Sequence, residues 1–157
     1  MPNWCENYMV VTGSPKILKD FAEKAKVIDK KDYNTDLSLA NFMPMPKELE
    51  GSTAPCKDDK ELKKKYGASN WYDWNIMNWG CKWDISAEVM VEKNKLSYTF
   101  MSPWAPPELG IRNISKLYPE LKFVLKYEEP GMDFAGTFIV KGGKIIKNRT
   151  TNCPGGD

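Results

Sequence analysis

The sequence predicts an α+β domain, a mainly antiparallel sheet with two main helices on one face. Three observations predict it. Segments of strand length with alternating polarity recur along the chain, two amphipathic helical segments sit between them, and Gly, Pro and Asn mark the turns. A chain of 157 residues with 41% hydrophobic and 28% charged side chains suits one globular domain with a sizeable core.

The first strand runs from Trp4 to Thr12, with Trp4, Tyr8 and Val10 on one face and Met9 and Val11 on the other. Gly13 breaks it, Ser14 suits an N-cap, and Pro15 suits the first helical position, where a missing N–H costs nothing. The helix that follows, to Lys26, has an apolar stripe of Ile17, Leu18, Phe21, Ala22 and Ala25. Leu37 to Phe42 reads as a short strand ended by Met43-Pro44-Met45-Pro46, because proline cannot donate to a ladder.

From Lys47 to Tyr66 the composition turns polar, with Gly51, Ser52 and Pro55 as breakers and a solvated helix over Asp58 to Lys65. Its lysine run, Lys63 to Lys65, reads as a wet face. Ile85, Ala87, Val89 and Val91 then alternate with their neighbours as a half-buried strand should, Lys93-Asn94-Lys95 turns the chain, and Leu96, Tyr98 and Phe100 form the next inward set. Pro103 to Pro107 precede a helix over Glu108 to Tyr118, its buried stripe drawn from Leu109, Ile114, Leu117 and Tyr118. Phe123, Leu125 and Tyr127 mark another strand, and Phe134 to Ile146 a hairpin turned at Gly142-Gly143. This is the order of a ferredoxin-like split βαβ fold with a helical and polar insertion at 47–84 and a C-terminal hairpin. One domain over 1–147 and a flexible tail over 148–157 are expected.

Composition narrows the function classes. A net charge of +2 gives no strong global field, and only Arg112 and Arg149 among 23 basic residues offer the planar fork that reads guanine and clamps phosphate, which argues against duplex DNA. The many lysines read as solubilising surface. No apolar run approaches the roughly 18 residues that span a bilayer, and Met1 to Glu6 has neither a basic nor an apolar region, so a cytoplasmic protein is expected. Cys5, Cys56, Cys81 and Cys153 form no C-x-x-C pair and read as reduced thiols; without histidine their spacing matches no common zinc module. No metal and no cofactor is expected.

Asn70 to Asp84 places four of six tryptophans within 15 residues. On a helix over Trp71 to Trp79, Trp71, Asn75 and Trp79 share one stripe and Trp74 and Asn78 the next, so rings alternate with amides. Burying one tryptophan is worth about 4 to 6 kcal/mol gross, so four rings cannot all stay wet. They either form a lid on the sheet, joined by Trp4 and Trp104, or line a ligand pocket or partner surface. The candidate binding residues are Asn70, Trp71, Trp74, Asn75, Asn78, Trp79, Trp83 and Trp104, and Trp74→Ala or Trp79→Ala is expected to weaken binding without unfolding the chain.

The same residues carry a resemblance. M-P-N-W-C-x-N at Met1 to Asn7, W-Y-D-W-N-x-x-N-W-G-x-K-W-D at Trp71 to Asp84, W-A-P-P at Trp104 to Pro107, Y-P-x-L at Tyr118 to Leu121, and Tyr127 to Gly131 followed by Phe134 and Gly136 resemble the YubB-like family of small phage and plasmid proteins. The match runs in order over most of the chain and is poorest over Lys47 to Ser69. The resemblance implies a ferredoxin-like domain and a mobile-element origin, and transfers no catalytic residue.

Asp73, Asp84, Glu128, Glu129 and Asp133 are the acids that could pair for a metal-dependent hydrolysis, but the absence of histidine excludes the common triads and no Gly-rich phosphate loop is present. No catalytic residue is assigned. The expected function is non-catalytic binding of a host protein, as an anti-defence inhibitor. The alternative is a small nucleotide or single-stranded nucleic acid held in the tryptophan pocket. The glycine-aromatic strand motif of RNA-recognition modules is missing, and Tyr98 and Phe100 belong to the face expected under the helices.

Overall fold

Alternation in the first strand decides the layering: Cys5, Asn7, Met9 and Val11 are buried, whereas Trp4, Glu6 and Tyr8 face outward. The structure is a computed structural model describing residues 2–29, 33–54 and 59–154. After β1 (Trp4–Thr12) come α1 (Pro15–Ala25), the short paired strands β2 (Val27–Ile28) and β3 (Asn34–Thr35), and 3₁₀ turns at Leu39–Asn41 and Lys47–Leu49. Then follow α2 (Lys60–Tyr66), α3 (Trp71–Asn78), β4 (Ala87–Glu92), β5 (Lys95–Pro103), α4 (Glu108–Leu117), β6 (Lys122–Glu129), β7 (Phe134–Lys141) and β8 (Lys144–Thr151).

Six strands form one sheet in the order β4-β5-β1-β6-β7-β8, every neighbouring pair antiparallel. β1, α1, β4, β5, α4 and β6 make the split βαβ pair, with β1 central, and β7 and β8 widen the sheet. α1 lies against β5, α4 against β6 and β7, and α3 against α4. Phe21 is the hub of the core, its ring 5.2 Å from Tyr118, 5.3 Å from Phe42, 5.5 Å from Phe123 and 6.1 Å from Tyr98. The hairpin turn sits at Gly142 and Gly143, whose φ of 58° and 78° suit the tight turn that matches strand twist.

Four expectations are corrected. Leu37 to Phe42 is not a strand, because the Asp84 carboxylate accepts from the amides of Leu39 and Ala40 and winds them into a 3₁₀ turn. The buried stripe of α4 is Gly110, Ile111, Ile114 and Ser115, with Leu109 and Leu117 exposed. Its small residues are hidden because backbone comes close: a Cβ on Gly110 would lie 2.9 Å from the Trp79 carbonyl oxygen. β8 continues to Thr151, so part of the expected tail is paired strand. The solvated helix starts at Lys60, its first amides capped by Asp59; Pro55, Cys56 and Asp58 lie outside the described residues.

The opposite face of the sheet carries no helix among the described residues. In register, Met101, Glu6, Glu128 and Ala135 cross it in one row, and Glu88, Thr99, Tyr8, Lys126, Thr137 and Arg149 in the next. At the far end Glu92, Lys95, Thr12, Lys122, Lys141 and Lys144 line up. A register shift at Ile139/Val140 lets Lys144 and Lys147, three residues apart, share this face.

Trp79→Ala is expected to cost about 3 to 5 kcal/mol in urea unfolding, because the ring is 4% exposed and its indole N–H is bonded inside. Gly110→Ala should destabilise as well, through the backbone contact rather than through lost area.

Candidate functional site

The aromatic block divides in two. Trp74 and Trp79 meet edge to face at 5.5 Å, are 7% and 4% exposed, and belong to the core, with the Trp79 indole N–H donating to the Met43 carbonyl at 3.0 Å. The three amides serve this local scaffold. Asn70 is the N-cap of α3, its Oδ1 accepting from the Asp73 amide at 2.9 Å and its Nδ2 donating to the Asp73 carboxylate at 2.9 Å. Asn75 donates to the Lys82 carbonyl and Asn78 to the Trp74 carbonyl, each at 2.9 Å. The predicted amide-bearing edge therefore faces the protein's own backbone. Trp71 is half-buried against the ring of Tyr72.

Trp83 takes a different course. It leaves the block to meet Trp4 of β1, ring centres 6.1 Å apart and planes at 58°. The two rings flank a cleft of about 650 Å³ at one end of the open sheet face, with Met101 and Thr99 of β5 below and Glu6, Asp84, Ser86 and Glu88 around it. Trp4 is 39% exposed. The Lys82 ammonium lies 5.0 Å from the Trp83 ring centre, in cation–π geometry.

Two local devices hold the walls. Asp84 accepts from the Ser38 hydroxyl at 2.6 Å, the Leu39 amide at 2.7 Å, the Ala40 amide at 3.2 Å and the Ile85 amide at 2.8 Å, which fixes Trp83 just before it. On the β1 side, buried Asn7 donates to the Ser102 hydroxyl at 2.8 Å, and Ser102 donates to the Ala105 carbonyl at 2.7 Å. That chain shapes the Trp-Ala-Pro-Pro turn, where Trp104 adopts a φ of 69° and its amide donates to the Asn3 carbonyl. Trp104 is exposed and does not line the cleft. Sequence reasoning left out Glu6, Glu88 and Met101; the signal was the β1–β5–β4 register, which sets Glu6 opposite Met101 and Glu88 opposite Thr99.

Four of the five acids weighed as catalytic are engaged structurally. Besides Asp73 and Asp84, buried Glu129 accepts from the Gly131 and Met132 amides at 3.1 and 2.6 Å, and Asp133 accepts from Asn152 and the Cys153 amide. Glu128 stays half-exposed on the open face. Burial pushes the Cys5 and Cys81 thiols up to about 12. Among the described residues no three Cys, Asp or Glu side chains gather to hold a metal, and no helix is long and apolar enough to cross a membrane.

The strand order, the two covering helices and the open opposite face define the class: a ferredoxin-like α+β domain. Residues 78–153 match the family model described as the ferredoxin-like domain in Api92-like protein. Among solved structures, protein api92 from Yersinia pseudotuberculosis is similar, with a TM-score of 0.61 over 98% of this chain and 99% of that one, at 10% identity. At that identity the likeness carries the fold alone. No curated protein matches the sequence.

Two measurements check this account. Asp84→Ala should cost about 2 to 4 kcal/mol in chemical unfolding, since it orphans several partly buried donors at once. With thiol pKa values raised to about 12, only about one molecule in 10⁴ holds the thiolate near pH 8, so iodoacetamide should leave Cys5 and Cys81 unmodified in the native protein and alkylate both in denaturant, by peptide mass mapping.

Proposed function

We propose that this is a non-catalytic binding protein that grips a partner protein through the cleft between Trp4 and Trp83. The observation that carries the reading is the lining itself: two indole rings 6.1 Å apart, Glu6 and Glu88 at the rim, and no lysine or arginine among the described lining residues. Such a lining suits a cation from the partner. An arginine guanidinium stacks on indole and meets carboxylates through its planar fork, and the contact of Lys82 with Trp83 is an internal instance of the same chemistry.

A nucleotide in this cleft would bring its phosphates against Glu6 and Glu88, which disfavours the alternative of a nucleotide held there. The resemblance to phage and plasmid proteins supports a finer assignment, a mobile-element protein that works in the bacterial cytoplasm by inhibiting a host defence protein. That step rests on analogy of context and not on the fold.

The test is a pull-down from bacterial lysate with wild type, Trp83→Ala and the Glu6→Lys/Glu88→Lys double variant, analysed for proteins and small nucleotides. A host protein held by wild type and lost from both variants, with melting temperatures within a few degrees of wild type, is the expected result. Proteins retained equally by all three would mean the cleft is not the site, and recovery of a nucleotide alone would replace the reading with nucleotide binding.

A further inference from the structure

We propose that the β6–β7–β8 half of the open sheet face binds single-stranded nucleic acid, at a site that adjoins the tryptophan cleft and shares Glu6, Asn7 and Thr99 with it at the border. The charge on this face is polarised. Lys122, Lys126, Lys141, Lys144, Lys147 and Arg149 project from those three strands, and Glu128 is the one carboxylate among their described residues on that side. On the β4–β5–β1 half stand Glu6, Glu88 and Glu92, with Lys95 paired to Glu92 at 3.1 Å. The near-neutral total of +2 hides this separation.

The shape favours an unpaired strand over other polyanions. Tyr8, at the centre of β1 and 44% exposed, stands at the border of the basic half, flanked in register by Thr99 and Lys126. A shallow hollow of about 270 Å³ beside it is lined by Glu6, Thr99, Lys126 and Glu128, so a base stacked on Tyr8 would find polar edges within reach. From Tyr8 to Arg149 is three strand spacings, about 14 Å of flat surface along which cations recur. An exposed aromatic on a sheet with lysines tracking away from it is how single strands are held without sequence reading. A flat face with one arginine offers nothing to enter a duplex groove.

Fluorescence anisotropy with a labelled oligo(dT) and oligo(U) of about 12 nucleotides, at about 50 and 200 mM salt, tests the proposal. Binding at the lower salt that weakens with a log–log slope of roughly 0.7 per neutralised phosphate is expected. Lys126→Glu/Lys147→Glu should weaken it about tenfold or more and flatten the slope, Tyr8→Ala should weaken it about tenfold with the slope unchanged, and Trp83→Ala should leave it intact. Tyr8, Lys126 and Lys147 are exposed, and Lys126→Gln/Lys147→Gln serves as a milder pair should the charge reversal perturb folding. No binding at the lower salt, indifference to Tyr8→Ala and to the lysine changes, equal affinity for a duplex of the same length, or equal competition by polyglutamate would each overturn the proposal.

Discussion

The Asp84 carboxylate holds together two parts of the chain that the fold would otherwise leave independent. Residues 26–86 form a long excursion between α1 and β4, and a split βαβ domain needs only a short connection there. Asp84 captures residues 38–40 at the foot of β4, and the same stretch continues along that strand, where Thr35 accepts from the Ala87 amide at 2.8 Å and Asp36 from the Val89 amide at 2.9 Å. β4 lies at the sheet margin, so these side chains also satisfy amides that no neighbouring strand reaches. The placement of Trp83 against Trp4 follows, since Trp83 precedes the anchored residue.

Above the helices, the excursion is fastened a second time. α3 settles on α4 because Gly110 admits the Trp79 backbone, whose carbonyl accepts from the Gly110 amide at 3.1 Å, and Asn113 donates to the Asn78 carbonyl. The tryptophan block thus serves two masters in sequence: its first part is interior packing that fixes the insertion, and its last ring is delivered to the other side of the sheet. A motif that reads as one surface is divided by the fold between core and cleft.

Much of this architecture could be read from the residues alone, for identifiable reasons. β1 was legible because Trp4 to Thr12 is a strand-length segment with apolar residues on both faces that ends at Gly13, and the last hairpin because Gly142-Gly143 meets the backbone demand of a two-residue turn. What escaped the reading depends on partners distant in sequence. Leu39 to Asn41 is helical only because a carboxylate 45 residues away caps it. The buried stripe of α4 was misplaced because Gly110 and Ser115 are hidden by what approaches them, and no hydrophobic periodicity announces a buried glycine. Glu6 and Glu88 become neighbours of two tryptophans through strand register across β5, which single-chain alternation does not encode.

β8 is an eight-residue strand, exposed at every position, with no strand beyond it among the described residues. Such a margin is a template on which another chain could continue the sheet, and Ile145 and Ile146 would reward that union. Lys144, Lys147 and Arg149 oppose it, because a second copy approaching in register would bring like charges together. The cations of this rail therefore guard against fibrillar self-association whatever else they contact, and exchanging them for neutral residues trades away colloidal safety along with charge.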